Sequence, residues 1–231
     1  MRSSLPLRAP KRARATDEQS ALIGKWFESY DEAWSYLLAR ETPLEDFWSV
    51  LPEPDGSILA GWLIEPPHQV KDAVSDLLAR LGRVDGVAAV PSHFLHIWIH
   101  GVAHDPGADR ITELVDAARE TWAEQDSFEI ALRHANCFRD AAVVEAHTDG
   151  VPRLLAALNP DADLRVALPH MTVGYLRSPA AASLRDVLED FRGKEFASFH
   201  ADSVRLCLIP IARSTFMRPW KVAATHPLSN A

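Results

Sequence analysis

The sequence predicts an α+β fold in which two pseudo-symmetric lobes with antiparallel sheets flank a central groove. The first reason is that residues 128–134 and 141–147 form strand patterns separated by a short turn at Asp140, which indicates a hairpin. The second is a weak internal duplication, because each half carries a helix, a histidine-bearing strand, a helix and a strand pair. Hairpins pair antiparallel, so α+β is favoured over a doubly wound α/β fold.

Hydrophobic periodicity predicts the elements in order. Residues 20–50 are helical and rich in aromatic side chains, residues 58–64 form a buried strand, and three- and four-residue apolar spacing predicts a helix over 70–81 that Gly82 closes. Further strands are predicted at 94–102, 128–134, 141–147, about 165–176, 203–211 and 220–225. Further helices are predicted at 110–125, 152–158 and around 184–191.

Three segments follow from composition. Residues 1–19 are basic and lack an apolar core, so they predict a flexible tail rather than a secretory signal, with a nucleic-acid-contacting arm as the alternative. Residues 20–54 form an N-terminal helical element, which Pro52, Pro54 and Gly56 separate from the rest. Residues 55–231 form the main two-lobed domain.

The bulk composition excludes several classes of protein. A formal net charge of −8 argues against broad, non-specific nucleic-acid binding, although a local basic groove stays possible. No apolar stretch approaches the length of a membrane span, so no membrane partner is expected. Two cysteines, Cys137 and Cys207, do not make a disulfide framework, which indicates a reducing compartment and a cytoplasmic location. The sequence does not determine the oligomeric state; a monomer is the working expectation.

Two segments carry histidines in similar local patterns. In the first, LHIWIHG, alternation along a strand puts His96, Trp98 and His100 on one face. In the second, PHMTVGY, it puts His170 and Thr172 on one face. Cleavage of a phosphodiester needs one group to accept a proton from the nucleophile and another to protonate the leaving oxygen, and two imidazoles can do both near neutral pH without a metal. A hydroxyl two residues further on can hold a phosphoryl oxygen.

The second segment resembles the His-x-Thr motif of the two-histidine phosphoesterase superfamily, which includes the RNA 2′,3′-cyclic phosphodiesterases and the 2′-5′ RNA ligase group. The first segment stands where that family has its other motif, and the 74-residue spacing (170 − 96) suits two lobes. The resemblance covers roughly residues 55–228. It implies that His96 and His170 are catalytic, that Thr172 holds phosphate, and that the partner is a nucleotide or an RNA terminus.

Trp98 departs from the family pattern, since Thr or Ser is usual there and an indole cannot replace a hydroxyl. Three interpretations stay open: Trp98 stacks on a nucleobase, His100 supplies the missing contact, or the site binds without turnover. Tyr175 stands where the family often has an aromatic, and both pocket lining and core packing fit it.

The predicted function is a metal-independent phosphodiesterase that acts on a 2′,3′-cyclic phosphate or a 2′-5′ linkage, with no cofactor and no metal. The first alternative is a nucleotide- or RNA-end-binding module in which Trp98 replaces the family hydroxyl. The second is a metal hydrolase that uses the histidine-rich segment 93–104. His93 and His96 point to opposite faces of an extended strand, which disfavours a shared zinc ion. His134, His147, His200 and His226 are assigned no role.

Overall fold

The computed structural model describes residues 27–39, 44–50, 56–159, 168–177, 183–213 and 217–229. The predicted basic tail, 1–19, lies outside the described residues. Two helices fall in the predicted N-terminal element, α1 (Tyr30–Ala39) and α2 (Phe47–Val50). Among the described residues, no helix is long and apolar enough to cross a bilayer.

The main domain alternates helices with strands. Its strands are β1 (Ser57–Ile64), β2 (Val87–Ala89), β3 (Ile97–His104), β4 (Phe128–Cys137), β5 (Ala141–His147), β6 (His170–Leu176), β7 (Glu195–Ala201), β8 (Ser203–Ile211) and β9 (Lys221–Pro227). Its helices are α3 (His68–Ala73), α4 (Ser75–Leu81), α5 (Ala108–Thr121), α6 (Gly150–Leu158) and α7 (Leu184–Glu189), with a 3₁₀ turn at Ser92–Phe94.

All strand pairs of the named elements are antiparallel, and they form one curled sheet in the order β7-β4-β5-β6-β3-β1-β8-β9, with β2 on β6. Along this path, four strands lie on each side of the junction between β6 and β3, and β2 adds a short strand on the β6 side. We call these the β6 lobe (β7, β4, β5, β6) and the β3 lobe (β3, β1, β8, β9). The α+β prediction is confirmed, and the order of strands has the symmetry that the internal duplication predicts.

Each lobe buries one face under helices. Helices α3, α4 and α7 contact strands of the β6 lobe, α5 contacts β9 of the β3 lobe, and α6 contacts both β3 and β4. In the β3 lobe, Trp62 and Trp122 are both almost fully buried, and their rings meet edge to face at 4.9 Å. The Trp122 indole N–H donates to the Leu154 carbonyl at 3.2 Å, so its polar atom is satisfied in the core. The helices cover one face of the sheet, and the opposite face is available for a functional site.

Several predicted element boundaries are correct, and others differ from the observed ones. Residues 141–147 and 203–211 are the observed β5 and β8. The helix over 70–81 is two helices that break at Val74, and β3 begins at Ile97 rather than 94 because the 3₁₀ turn occupies Ser92–Phe94. The strands β2 and β7 are not predicted from the sequence. The predicted start of the second histidine strand, 165–167, lies outside the described residues.

Candidate active site

The two predicted catalytic histidines lie at the junction of the lobes. His96 comes directly before β3, and His170 is the first residue of β6. The strands β3 and β6 pair antiparallel at Ile97 and Met171, the neighbours of the two histidines. A charge on His170 acts on the pKa of His96, so the two imidazoles share one electrostatic environment. The fold therefore brings together two residues that are 74 positions apart (170 − 96).

The same hydrogen bond fixes the ring of each histidine. His96 Nδ1 lies 2.7 Å from the Phe94 carbonyl oxygen, and His170 Nδ1 lies 2.8 Å from the Leu168 carbonyl oxygen. A carbonyl only accepts, so Nδ1 carries the proton and donates in both rings. Each ring bonds the carbonyl of the residue two positions earlier in the chain, so the two histidines are held in the same way. In the neutral state this leaves Nε2 of each ring as the nitrogen with the free lone pair.

Aromatic side chains surround His96. The rings of Phe94, Trp98 and Trp220 lie 5.4, 6.1 and 5.2 Å from the imidazole, all in steep edge-on orientations. These apolar neighbours disfavour the charged imidazolium. Burial therefore lowers the pKa of His96 to about 4, the Phe94 carbonyl opposes this shift, and the charge of His170 adds to it.

Among the described residues, one aromatic ring packs against His170. The Phe138 ring packs against its imidazole at 4.7 Å, at an angle of 73°. Burial lowers the pKa of His170, and its bond to the Leu168 carbonyl opposes the shift. Both imidazoles are therefore held neutral near pH 7 in the free protein, and either one accepts a proton only when something at the site stabilises the cation.

Trp98 is fixed against the glycine of the neighbouring strand. A Cβ atom on Gly61 would lie 2.0 Å from Trp98 Cη2, and a Cβ on Gly101 would lie 3.3 Å from Trp98 Cζ2. The indole therefore covers backbone where the β1 and β3 strands carry no side chains. The ring is half-buried and leaves part of its surface accessible. It occupies the position two residues after His96, where Thr172 stands in the other half.

His100 does not share the face of Trp98, and that prediction is wrong. Trp98 opposes Leu63 on β1 whereas His100 opposes Trp62, because a register shift falls between them. Leu63 and Trp62 are consecutive and point to opposite faces, so Trp98 and His100 do as well. His100 is directed to the helix-covered side with Trp62, where burial lowers its pKa.

Thr172 stands on β6 as the predicted hydroxyl, and Tyr175 lies near it. Thr172 is half-buried. Tyr175 is buried, with its ring 4.3 Å from the Phe47 ring of the N-terminal element. Burial raises the pKa of Tyr175, the nearby Asp140 adds to the shift, and Thr172 opposes it. Tyr175 is therefore a packed residue beside Thr172.

Two aromatic residues of the site are not predicted from the sequence. Trp220 lies just before β9, and Phe138 follows β4, so both reach the histidines from elements distant in sequence. Neither follows a motif that local patterns reveal. His93, by contrast, is a possible metal ligand with His96 by spacing, and the structure shows it exposed with Nε2 donating to the Met217 carbonyl at 3.0 Å.

Comparison with known proteins gives a decisive result only for the fold. No family model matches the chain, and no curated protein matches it. Among solved structures, E. coli LigT in complex with phosphate superimposes with a TM-score of 0.56 at 17% identity, covering 76% of this chain and 100% of LigT. This chain has the fold of the two-histidine phosphoesterases.

Other structures with the two-histidine phosphoesterase fold agree. A structure described as a phosphoesterase matches with a TM-score of 0.59 at 16% identity over 74% of this chain and 99% of its own. A protein of Thermus thermophilus matches with a TM-score of 0.55 at 13% identity over 74% and 98%. LigT has also been solved with NADP⁺, ATP and 3′-AMP. The resemblance stated from the histidine motifs is thus confirmed at the level of the fold.

Proposed function

We propose that this chain is a metal-independent phosphodiesterase that uses His96 and His170 as a general acid and base on one phosphate. The observation that carries the proposal is the matched pair of Nδ1 bonds, to the Phe94 carbonyl in one half and the Leu168 carbonyl in the other. It gives both rings the same tautomer, with Nε2 as the proton-transferring atom in each. A phosphoesterase-type function in general rests also on the shared fold.

The reaction follows from that geometry. One Nε2 accepts a proton from water as its oxygen attacks phosphorus, and the other Nε2–H gives a proton to the leaving ribose oxygen as the P–O bond breaks. Both pKa values are lowered, so the general acid becomes charged only when the phosphate binds, because the negative charge of the phosphate favours an imidazolium next to it. The acid therefore gains its proton as the negatively charged substrate binds.

Thr172 is the proposed donor to a non-bridging phosphoryl oxygen, and Tyr175 positions it. The buried Tyr175 side chain next to Thr172 limits the freedom of the hydroxyl, which reduces the reorganisation that charge development would demand. The first half lacks an equivalent hydroxyl because Trp98 stands in its place. Losing one such donor typically costs about 10²–10³ in rate, so slow turnover is the expectation.

The proposed substrate class is a nucleotide or an RNA end that carries a 2′,3′-cyclic phosphate or a 2′-5′ linkage. The LigT complexes with ATP, 3′-AMP and NADP⁺ support a nucleotide ligand for this fold. The fixed, half-exposed indole of Trp98 supports it further, since bases stack on aromatic rings at about 1–3 kcal/mol each. His100 is not retained in the site, because it lies on the other face.

The same Trp98 observation favours a second candidate, a nucleotide-end-binding module without turnover. A ring held against Gly61 is a rigid platform, and rigid platforms bind at low entropic cost. The two candidates differ in whether the phosphate is cleaved. They agree on the ligand and on the face of the sheet that it contacts.

The test is hydrolysis of a panel of 2′,3′-cyclic nucleotides in excess EDTA by wild type, His96→Ala and His170→Ala. We expect turnover in wild type that resists the chelator and is lost in both variants. His104→Ala is the matched control, because it removes an exposed histidine at the far end of β3. Binding of 3′-AMP without hydrolysis in wild type would select the binding module, and turnover abolished by EDTA would contradict the metal-independent mechanism.

A further inference from the structure

A cluster of two histidines and a glutamate lies on β4 and β5 of the β6 lobe, beside the strand that carries His170. His134, Glu145 and His147 bring two ring nitrogens and a carboxylate oxygen within 4.8 Å of one another. They line a cavity of about 350 Å³ that α1 helps to enclose with Tyr30 and Asp31. We propose that these three side chains bind a divalent transition-metal ion of the zinc class.

The residue types fit that ion. Two imidazoles and one carboxylate form a donor set that zinc accepts, with the remaining positions open to water. Ligand atoms around a tetrahedral zinc lie about 3.4 Å apart, given zinc–ligand distances of about 2.0–2.1 Å. Glu145 Oε2 and His147 Nε2 already lie 3.1 Å apart and all three ligand atoms lie within 4.8 Å of one another, so the site closes when the His134 ring rotates toward the other two ligands.

The carboxylate is already oriented by its surroundings. Glu145 is 1% exposed, and its Oε1 accepts from the Asn136 amide at 2.8 Å and from the Arg192 guanidinium. Its Oε2 lies 3.1 Å from His147 Nε2. Outer contacts that hold one carboxylate oxygen and direct the other are the usual support of a metal ligand. If Glu145 served only to pair with Arg192, neither histidine would be needed beside it.

His134 reaches the cluster only because the strand is irregular. It is the extra residue of a bulge between Arg133 and Ala135 in the pairing of β4 with β5, and it has a φ of 49°. Its Nδ1 is buried with no hydrogen-bond partner among the described residues. A bulge of this kind redirects a side chain. Here it leaves an imidazole with incomplete polar contacts beside a carboxylate.

The local charge also suits a cation. Among the described residues, the ionised groups that line the cavity are Glu145, Asp31 and Arg192, and Arg192 bridges the two carboxylates. Two negative charges therefore face one positive charge. The site lies next to the proposed active site, since Glu145 is the direct strand partner of His170, but it shares no ligand with that site.

Zinc titration of the chelator-stripped full chain tests the proposal. We expect one Zn²⁺ per wild-type chain by calorimetry, a zinc-dependent rise in melting temperature, and no response to Mg²⁺, which prefers all-oxygen sites. His134→Gly and His147→Gln should weaken zinc binding at least about 10-fold, the lower range of losses at metal sites. Glycine accepts the positive φ at position 134, so that variant should keep its fold.

His200→Ala is the matched control, because His200 lies on β7 and its ring nitrogen is bonded to the Ser127 hydroxyl at 2.8 Å. It should bind zinc as wild type does. Wild type that binds no zinc at micromolar concentration, or binding equal to wild type in both cluster variants, would overturn the site. Hydrolysis in EDTA measures the His96–His170 proposal separately, so the two can fail independently.

Discussion

Ile97 and Met171 form the one register pair through which β3 and β6 join among the described residues. Both side chains are fully buried. Neighbouring residues in a strand point to the opposite face, so His96 and Trp98 on one side, and His170 and Thr172 on the other, lie together across from the core. The antiparallel pairing at Ile97 and Met171 thus places the two histidine segments side by side on one face of the sheet, as the proposed mechanism requires.

The lowered pKa values predict an acidic pH optimum. In the free enzyme both histidines are neutral near pH 7, whereas the reaction needs one of them protonated. The protonated fraction grows as the pH falls toward the lowered pKa values, so kcat/KM should peak below about pH 6.5, the ordinary value for histidine. A pH profile on a 2′,3′-cyclic nucleotide measures this, and an optimum above about pH 7.5 would contradict it.

The same shift predicts acid lability of the fold. The folded-state pKa of His96, about 4, is below its unfolded value of about 6.5, so the unfolded chain binds more protons between these values. Stability from this group is full above about pH 6.5 and is lost as the pH falls through about 4, by about 1–2 kcal/mol at pH 5. Urea unfolding at pH 7 and pH 5 should show a smaller difference for His96→Gln than for wild type. An unchanged difference would argue against the shift.

Trp98→Thr should restore the hydroxyl of the first half-site and raise kcat by about 10²–10³, the usual worth of one such donor. The cost is lost packing over Gly61, which we expect to lower the free energy of unfolding by about 1–3 kcal/mol. Cyclic-nucleotide kinetics and urea unfolding measure the two effects. A slower Trp98→Thr variant that still folds would mean that the indole contributes more to binding than the hydroxyl does to catalysis.

Gly61→Ala should couple to Trp98. The new Cβ would lie 2.0 Å from the indole, so the ring must move, at a cost of about 1–3 kcal/mol. In the Trp98→Thr background that clash is absent, and the same substitution should cost far less. A double-mutant cycle by urea unfolding gives the coupling energy. Additive effects of the two substitutions would show that the ring does not rest on Gly61.

Tyr175→Phe should reduce kcat while leaving stability nearly unchanged. The variant keeps the ring packing against Phe47 but loses the phenol oxygen beside Thr172. Because Tyr175 acts only through Thr172, the loss should be absent when Thr172 is already valine. Comparing kcat of Tyr175→Phe, Thr172→Val and the double variant measures this. Equal losses from Tyr175→Phe with and without Thr172 would exclude a positioning role.

The sequence predicted the histidine pair because both segments carry the same local pattern, and β5 and β8 because their apolar runs have clear ends. It could not predict the bulges. Whether His100 or His134 faces one side or the other depends on hydrogen-bond register with a neighbouring strand, which leaves no mark on composition. The rings of Phe138 and Trp220 join the site from distant elements, so only the folded sheet reveals them.

In the proposed mechanism His96 and His170 act as one unit on a single phosphate, and a kinetic double-mutant cycle is the sharpest test of this coupling. Hydrolysis of a 2′,3′-cyclic nucleotide in EDTA would be measured for His96→Ala, His170→Ala and the double variant. We expect each single variant to lose nearly as much rate as the double variant, because groups that act together have strongly non-additive effects. Losses that add between the two histidines, or a single variant that keeps wild-type turnover, would contradict it.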